Sequence, residues 1–171
     1  MRRILAYIAV LLGCGVIINP SDTSDIQAKL LSHNRQQVTC LANNIYHEAR
    51  GEDERGQLAV GLVTMNRVNQ SGKTICDIVH ERKPGCQFSW TCAKVAIKEQ
   101  EAYNNIVAKS MQIIRGDVED FTNGATFYHA TYVKPFWSKH KDFKRVARVG
   151  RHIFYKKVNH EEINRKTPKK I

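Results

Sequence analysis

The stretch NNIYHEARGEDERGQLAVGLVTMNRV, residues 43 to 68, sets a glutamate where an ionised acid is disfavoured. Val38, Leu41, Ala42, Ile45, Tyr46 and Ala49 recur at spacings of three and four, the period of a helix with one buried stripe. Glu48 follows Leu41 by seven positions and Ile45 by three, so its side chain rises from the edge of that stripe. Partial burial penalises the carboxylate and raises its pKa, the property of a general acid working near neutral pH. The competing reading is a helix-end glutamate paired with Arg50 or Arg67. Glu52 would share that side of the helix if the helix reached it, but Gly51 intervenes; it either supports Glu48 at the site or is exposed. Asp53 and Glu54 read as helix cap and surface.

Other chemistries have weaker signatures. His47, His129 and His152 are the histidines available to a metal, but no H-E-x-x-H occurs, and His47 projects about 100° away from Glu48 on a helix. No metal or cofactor is expected. A cysteine nucleophile would need Cys86 or Cys92 free beside His129. Cys40, Cys76, Cys86 and Cys92 instead suggest two disulfides, for which three pairings exist and the sequence does not choose. The segments CQFSW, TFYHATYV and KPFWSK mix aromatic and polar residues. Sugar rings have flat apolar faces and hydroxyl edges, so Phe88, Tyr128, Tyr132 or Trp137 with Asn66, Gln87, Ser89 and His129 would suit a glycan. One of Phe127 and Tyr128 must face the core instead, because neighbouring strand residues point opposite ways.

These residues need elements to hold them. The pattern predicts a helix from Val38 to Ala49, then one capped by Asp53 and running to Val68 with Leu58, Leu62 and Met65 inward. Thr74 with Asp77 three residues later opens a short helix through Val79, and KPGCQFSWTC reads as an irregular disulfide-tied loop. A long helix is expected from Ala93 to Arg115, stopped by Gly116. ATFYHATYV at 125–133 and RVARVGRHIFYKK at 145–157 read as strands of a small antiparallel ribbon. The class is α+β, mostly helical.

Residues 1–19 have the basic start and apolar run of an export signal or signal anchor; cleavage, lipidation at Cys14 and retention are all open. Residues 20–37 read as a linker with a short helix, 38–158 as the domain, and 159–171 as a basic tail. Lys and Arg number 27 against 16 Asp and Glu, a formal charge of +11 that suits polyanionic partners. An exported, disulfide-bonded chain would not meet intracellular DNA, so nucleic acid is not an expected partner.

At LANNIYHEARGEDERGQLAVGLVTMNRV, ICDIVHERKPGCQFSWTC and GATFYHATYVKPFWSKHKDFKRVARVGRHIFY the sequence resembles the spore cortex-lytic enzyme type of cell-wall hydrolase, a family also found among bacteriophage lysis proteins. The resemblance covers about residues 40–155. It implies a lysozyme-like catalytic domain that cleaves the glycan strand of peptidoglycan, with Glu48 as catalytic acid; Glu52, Asn66, Gln87, Phe88, Ser89, Tyr128 and His129 are the substrate-contact candidates that the residue types themselves offer. Members are described as lytic transglycosylases, muramidases or amidases; a non-catalytic wall-binding module is the alternative outside enzymes. A hydrolase would want a second carboxylate, and only Glu52 is near in sequence, with Asp77, Glu81 and Asp120 further along. That scarcity favours transglycosylation. Phe127 departs from the family's pattern, and the chain shows no wall-binding repeat, leaving its charge to attract anionic cell-envelope polymers. The expected setting is the periplasm or cell envelope. An endolysin associated transiently with the inner membrane through residues 1–19 before release fits that pattern, with Cys14 free to exchange into the disulfide set.

Overall fold

The computed structural model describes residues 20–82, 85–93 and 95–158, so the expectations for residues 1–19, Cys14 and the 159–171 tail lie outside the described residues. The chain divides into a short unit ending at His33 and a main unit from Asn34 onward. Helix α1, Pro20–Ala49, includes the stretch expected to be a linker, which is helical throughout. In the first unit Leu30 and Leu31 are exposed.

In the main unit the stripe read from the sequence is buried: Leu41, Ala42 and Ile45 are fully enclosed. Helix α2, Glu54–Ser71, starts where Asp53 accepts a hydrogen bond from the Gly56 N–H. It separates two apolar clusters. Leu62 belongs with Leu41, Ile45, Ile106 and Ile113, whereas Ala59 and Val63 pack with Ala125, Val149 and Phe154 under the sheet. Gly61 allows α1, α2 and the last helix to meet, because a Cβ there would lie 2.5 Å from Ile113 Cδ1 and 2.9 Å from Ile45 Cδ1. Gly61→Val should therefore destabilise the fold by about 1–3 kcal/mol through overpacking, read as a lower denaturation midpoint of the oxidised protein.

Helix α3, Ile75–Val79, has the expected capping box, with Thr74 and Asp77 bonded reciprocally. Disulfides join Cys40 to Cys76 and Cys86 to Cys92, which resolves the pairing. The second closes the loop holding helix α4, Ser89–Ala93. The long helix expected from Ala93 is corrected: helix α5 is Gln100–Arg115. The cause is tertiary. Tyr46 of α1 accepts hydrogen bonds from the N–H groups of Lys98 and Glu99 and donates to the Glu99 carboxylate, which uses these groups before a helix can form there.

The expected small antiparallel ribbon is a three-stranded sheet, β1 (Phe127–Ala130), β2 (Phe143–Val149) and β3 (His152–Lys157), in the order β1-β3-β2. RVARVGRHIFYKK is thus a hairpin that turns at Gly150 and Arg151, not one strand. Gly150 has φ 51° and faces Glu52, whose Oε2 would lie 2.3 Å from an added Cβ. A 3₁₀ turn, Phe136–Lys139, lies between β1 and β2.

Candidate active site

Glu48 occupies the last turn of α1 and is partly buried. Tyr128, from the middle of β1, donates its hydroxyl hydrogen to Glu48 Oε2 at 3.2 Å. Burial raises the Glu48 pKa, and the Tyr128 hydrogen bond and the nearby Arg67 guanidinium oppose that rise without cancelling it. The helix C-terminus also disfavours an anion. Tyr128 in turn is pushed well above the ordinary phenol value by burial and by Glu48, so it remains a donor. The carboxyl group therefore holds a proton more readily than a free glutamate, with an oriented donor against it.

Arg67 organises the far side. Its Nε donates to the Thr126 carbonyl at 2.7 Å, and its guanidinium lies 5.7 Å from the ring centres of both Phe88 and Phe127. It also borders a pocket of about 210 Å³ with Lys73, Glu81, Gln87, Thr126 and Phe127. The sequence offered Arg67 only as an ion partner for Glu48; its bridge to β1 depends on a contact 59 residues away. Trp90 was missed as an individual residue. Its ring stacks on His47 at 4.5 Å, immediately before Glu48 in the chain, and the Cys86–Cys92 bridge encloses it. Burial, then Arg50, lowers the His47 pKa, which favours the neutral ring.

The remaining sequence-derived residues divide. Glu52 is corrected as a partner of Glu48: its side chain, 6% exposed, is bonded by the Arg151 N–H at 3.0 Å and Arg151 Nε at 2.7 Å. Burial alone would raise its pKa, but those bonds outweigh it and hold it low. Glu52 fastens the β2–β3 turn to the α1–α2 junction. Asn66 Nδ2 donates to Asp120, Thr122 and the Ala125 carbonyl, bracing the loop before β1. Phe88 is core, 6% exposed. Gln87 and Ser89 flank it and are exposed, Gln87 bordering the pocket. His129 takes the opposite face of β1 from Tyr128, with Nε2 at 3.1 Å from the Tyr155 hydroxyl and Nδ1 at 2.9 Å from the Ala130 carbonyl. It packs there with Trp137, as does Phe127, so strand alternation assigns Tyr128 alone to Glu48.

The more distant carboxylates are also engaged. Asp77 caps α3 and Glu81 pairs with Lys73 at 2.6 Å. Burial would raise Asp120, but hydrogen bonds from Thr122, Gly124 and Asn66 hold it below its ordinary value. His47, His129 and His152 join no three-residue group able to hold a metal among the described residues. Both candidate thiol nucleophiles, Cys86 and Cys92, are bonded to each other.

A family model described as cell wall hydrolase matches residues 51–155. The chain belongs to the cell wall hydrolase family. Glu48 lies three residues before the matched segment of this cell wall hydrolase. The spore cortex-lytic enzyme of Bacillus cereus strain ATCC 14579 is 26% identical over 131 residues, covering 72% of this chain and 46% of that protein. The chain thus spans about half the length of the curated relatives it matches. Among solved structures, the catalytic domain of the germination-specific lytic transglycosylase SleB from Bacillus anthracis superposes with a TM-score of 0.55 at 24% identity, over 70% of this chain and 93% of that one. The Bacillus cereus SleB catalytic domain gives 0.53, also at 24% identity, over 71% and 91%. The lysozyme-like fold expected from the sequence is therefore the fold observed.

Tyr128→Phe tests the contact at the centre of this site. Losing the donor removes a force that lowers the Glu48 pKa, so the alkaline limb of the pH–rate profile should move to higher pH while the maximal rate on cell walls falls by about tenfold. An unshifted limb would mean that Tyr128 does not set the protonation of Glu48 or that Glu48 is not the group titrating there.

Proposed function

We propose that this cell wall hydrolase cleaves the glycan strand of peptidoglycan after N-acetylmuramic acid, as a lytic transglycosylase in which Glu48 serves first as acid and then as base. The observation that carries the reading is the protonation bias of Glu48 beside Tyr128, while Glu52, Asp77, Glu81 and Asp120 are all held by other groups. A direct hydrolysis through two carboxylates would need one of those four released from its partners.

The chemistry follows from one acid. The Glu48 proton passes to the glycosidic oxygen as the bond to C1 of the muramic sugar breaks, and positive charge develops at C1 and the ring oxygen. The substrate's N-acetyl oxygen stabilises that charge. The Glu48 carboxylate, now oriented by the Tyr128 hydroxyl, takes the proton of the sugar's 6-hydroxyl. O6 then bonds to C1, giving a 1,6-anhydro end and returning the proton to Glu48. Each Glu48 state is served by the site: burial favours the acid, and Tyr128 with Arg67 tempers the base.

The polar groups bordering the adjoining pocket, among them Gln87 and Lys73, suit the hydroxyl and amide edges of the glycan. Two disulfides agree with work in the cell envelope outside the reducing cytoplasm.

The test is mass spectrometry of soluble fragments released from purified peptidoglycan by the full chain and by Glu48→Gln. Anhydro-muramic ends that vanish in the variant are expected. Reducing ends would make the enzyme a muramidase or glucosaminidase, and free peptides with intact glycan would make it an amidase or peptidase.

A further inference from the structure

The positive charge is unevenly placed. Residues 20–130 carry twelve Lys or Arg against thirteen Asp or Glu, whereas residues 131–158 carry nine against a single acid, Asp142. The excess therefore belongs to the loop after β1 and to the hairpin. Lys134, Lys139, Lys141, Lys144, Arg145 and Arg148 are all exposed there. Strand β2, which bears the last three, is an edge of the sheet.

The same loop displays apolar side chains. Phe136 is 93% exposed, Tyr132 82% and Val133 43%. The backbone beneath them is held in place: Thr131 N–H bonds to the Arg151 carbonyl at 2.8 Å and Val133 N–H to the Ala130 carbonyl at 2.9 Å. Trp137, next to Phe136, packs inward at 5.2 Å from Phe143 and 5.4 Å from Tyr155. Trp137 thus anchors the turn while Phe136 is left outside. Uncovered rings gain nothing from water, and exposed apolar residues interspersed with cations along one segment are the composition of an interfacial surface.

We propose that the Tyr132–Phe136 loop and the cationic edge strand β2 form a peripheral docking surface for an anionic lipid bilayer. The lysines and arginines meet the headgroup charge, and Tyr132, Val133 and Phe136 enter the boundary between headgroups and acyl chains. A soluble polyanion would use the cations but leave the phenyl ring of Phe136 in water, so the combination favours a bilayer. The surface requires no crossing segment; no helix among the described residues is long and apolar enough to span a membrane. It is independent of the reaction assigned to Glu48.

The experiment is hydrogen exchange of the full chain mixed with vesicles of phosphatidylglycerol and phosphatidylcholine, or of phosphatidylcholine alone, read by mass spectrometry over residues 131–148. Slower exchange there with the anionic vesicles only is expected, and Tyr132→Ser with Phe136→Ser should lower partition onto them at least about tenfold at an unchanged melting temperature. Unchanged exchange in this segment would overturn the proposal, even if the chain binds vesicles elsewhere. Equal partition of the double variant would overturn it too. Equal protection of wild type and double variant by polyphosphate would reduce the surface to a charge-only polyanion site if vesicle partition is also equal. Loss of peptidoglycan binding by the variant at unchanged vesicle partition would give the loop to the glycan.

Discussion

Glu48→Gln should lower the release of fragments from peptidoglycan by about 10²- to 10⁴-fold, the range for losing a positioned proton donor, and should also raise the melting temperature at pH 7. The two effects have one origin. A glutamate whose pKa is raised in the folded protein binds its proton more tightly there than in the unfolded chain. Its stability penalty is absent below the ordinary value of 4.5 and grows as pH rises, becoming complete above the folded-state pKa. Glutamine removes the charge and retains an oxygen for the Tyr128 hydroxyl. The thermal advantage of the variant should therefore shrink to nothing on acidification below about pH 4.5. Fragment release and melting temperature, followed from pH 4 to pH 8 on roughly unit steps, check both parts. An active Glu48→Gln would place the acid elsewhere; an inactive variant with no pH-dependent stabilisation would mean Glu48 is solvated and catalysis depends on it for another reason.

Removing the Cys40–Cys76 bridge is the change with the largest expected effect on stability. It spans 36 residues and ties α1, the helix that carries Glu48, to α3. The chain-entropy relation gives about 4 kcal/mol for a loop of that length, a fall of about 10 °C in melting temperature for a domain of this size. Cys40→Ala with Cys76→Ala isolates it, because Cys40 is buried and alanine adds no unpartnered polar group. The Cys86–Cys92 bridge joins cysteines only six positions apart and should contribute about 2 kcal/mol. Its loss should instead free Trp90 from His47 and be felt more in activity than in melting. Calorimetry or circular dichroism of the oxidised variants distinguishes the two bridges. A drop of under about 1 kcal/mol for Cys40–Cys76 would mean that the unfolded chain is already compact between these positions.

The local signals that survived were those with a local cause. The three-and-four spacing around Leu41 and Ile45 placed Glu48 at the edge of a buried stripe, and Asp53 and the Thr74–Asp77 pair marked helix starts because a cap acts within three residues. The α5 start failed because Tyr46, more than fifty residues earlier, takes the N–H groups of Lys98 and Glu99. The β2–β3 hairpin was read as one strand because its turn is only Gly150 and Arg151, inside a continuous β-type pattern. What selects the turn there is Glu52, reaching Arg151 from 99 residues away.

Residue type and spacing named most of the residues that the fold gathers, but not their contacts. Asn66, Phe88 and Glu52 read as substrate contacts and act in the structure as loop brace, core and hairpin fastener. By itself the sequence determined that Glu48 stands at the edge of a buried helical stripe, that four cysteines suit two disulfides, and the mixed helical class. These depend on residue type and short-range period. Only the tertiary structure decided which cysteines pair, which face of β1 meets Glu48 and which carboxylates are already held. Each of those outcomes is a contact between distant segments, and its free energy depends on three-dimensional separation, on which local spacing carries no information.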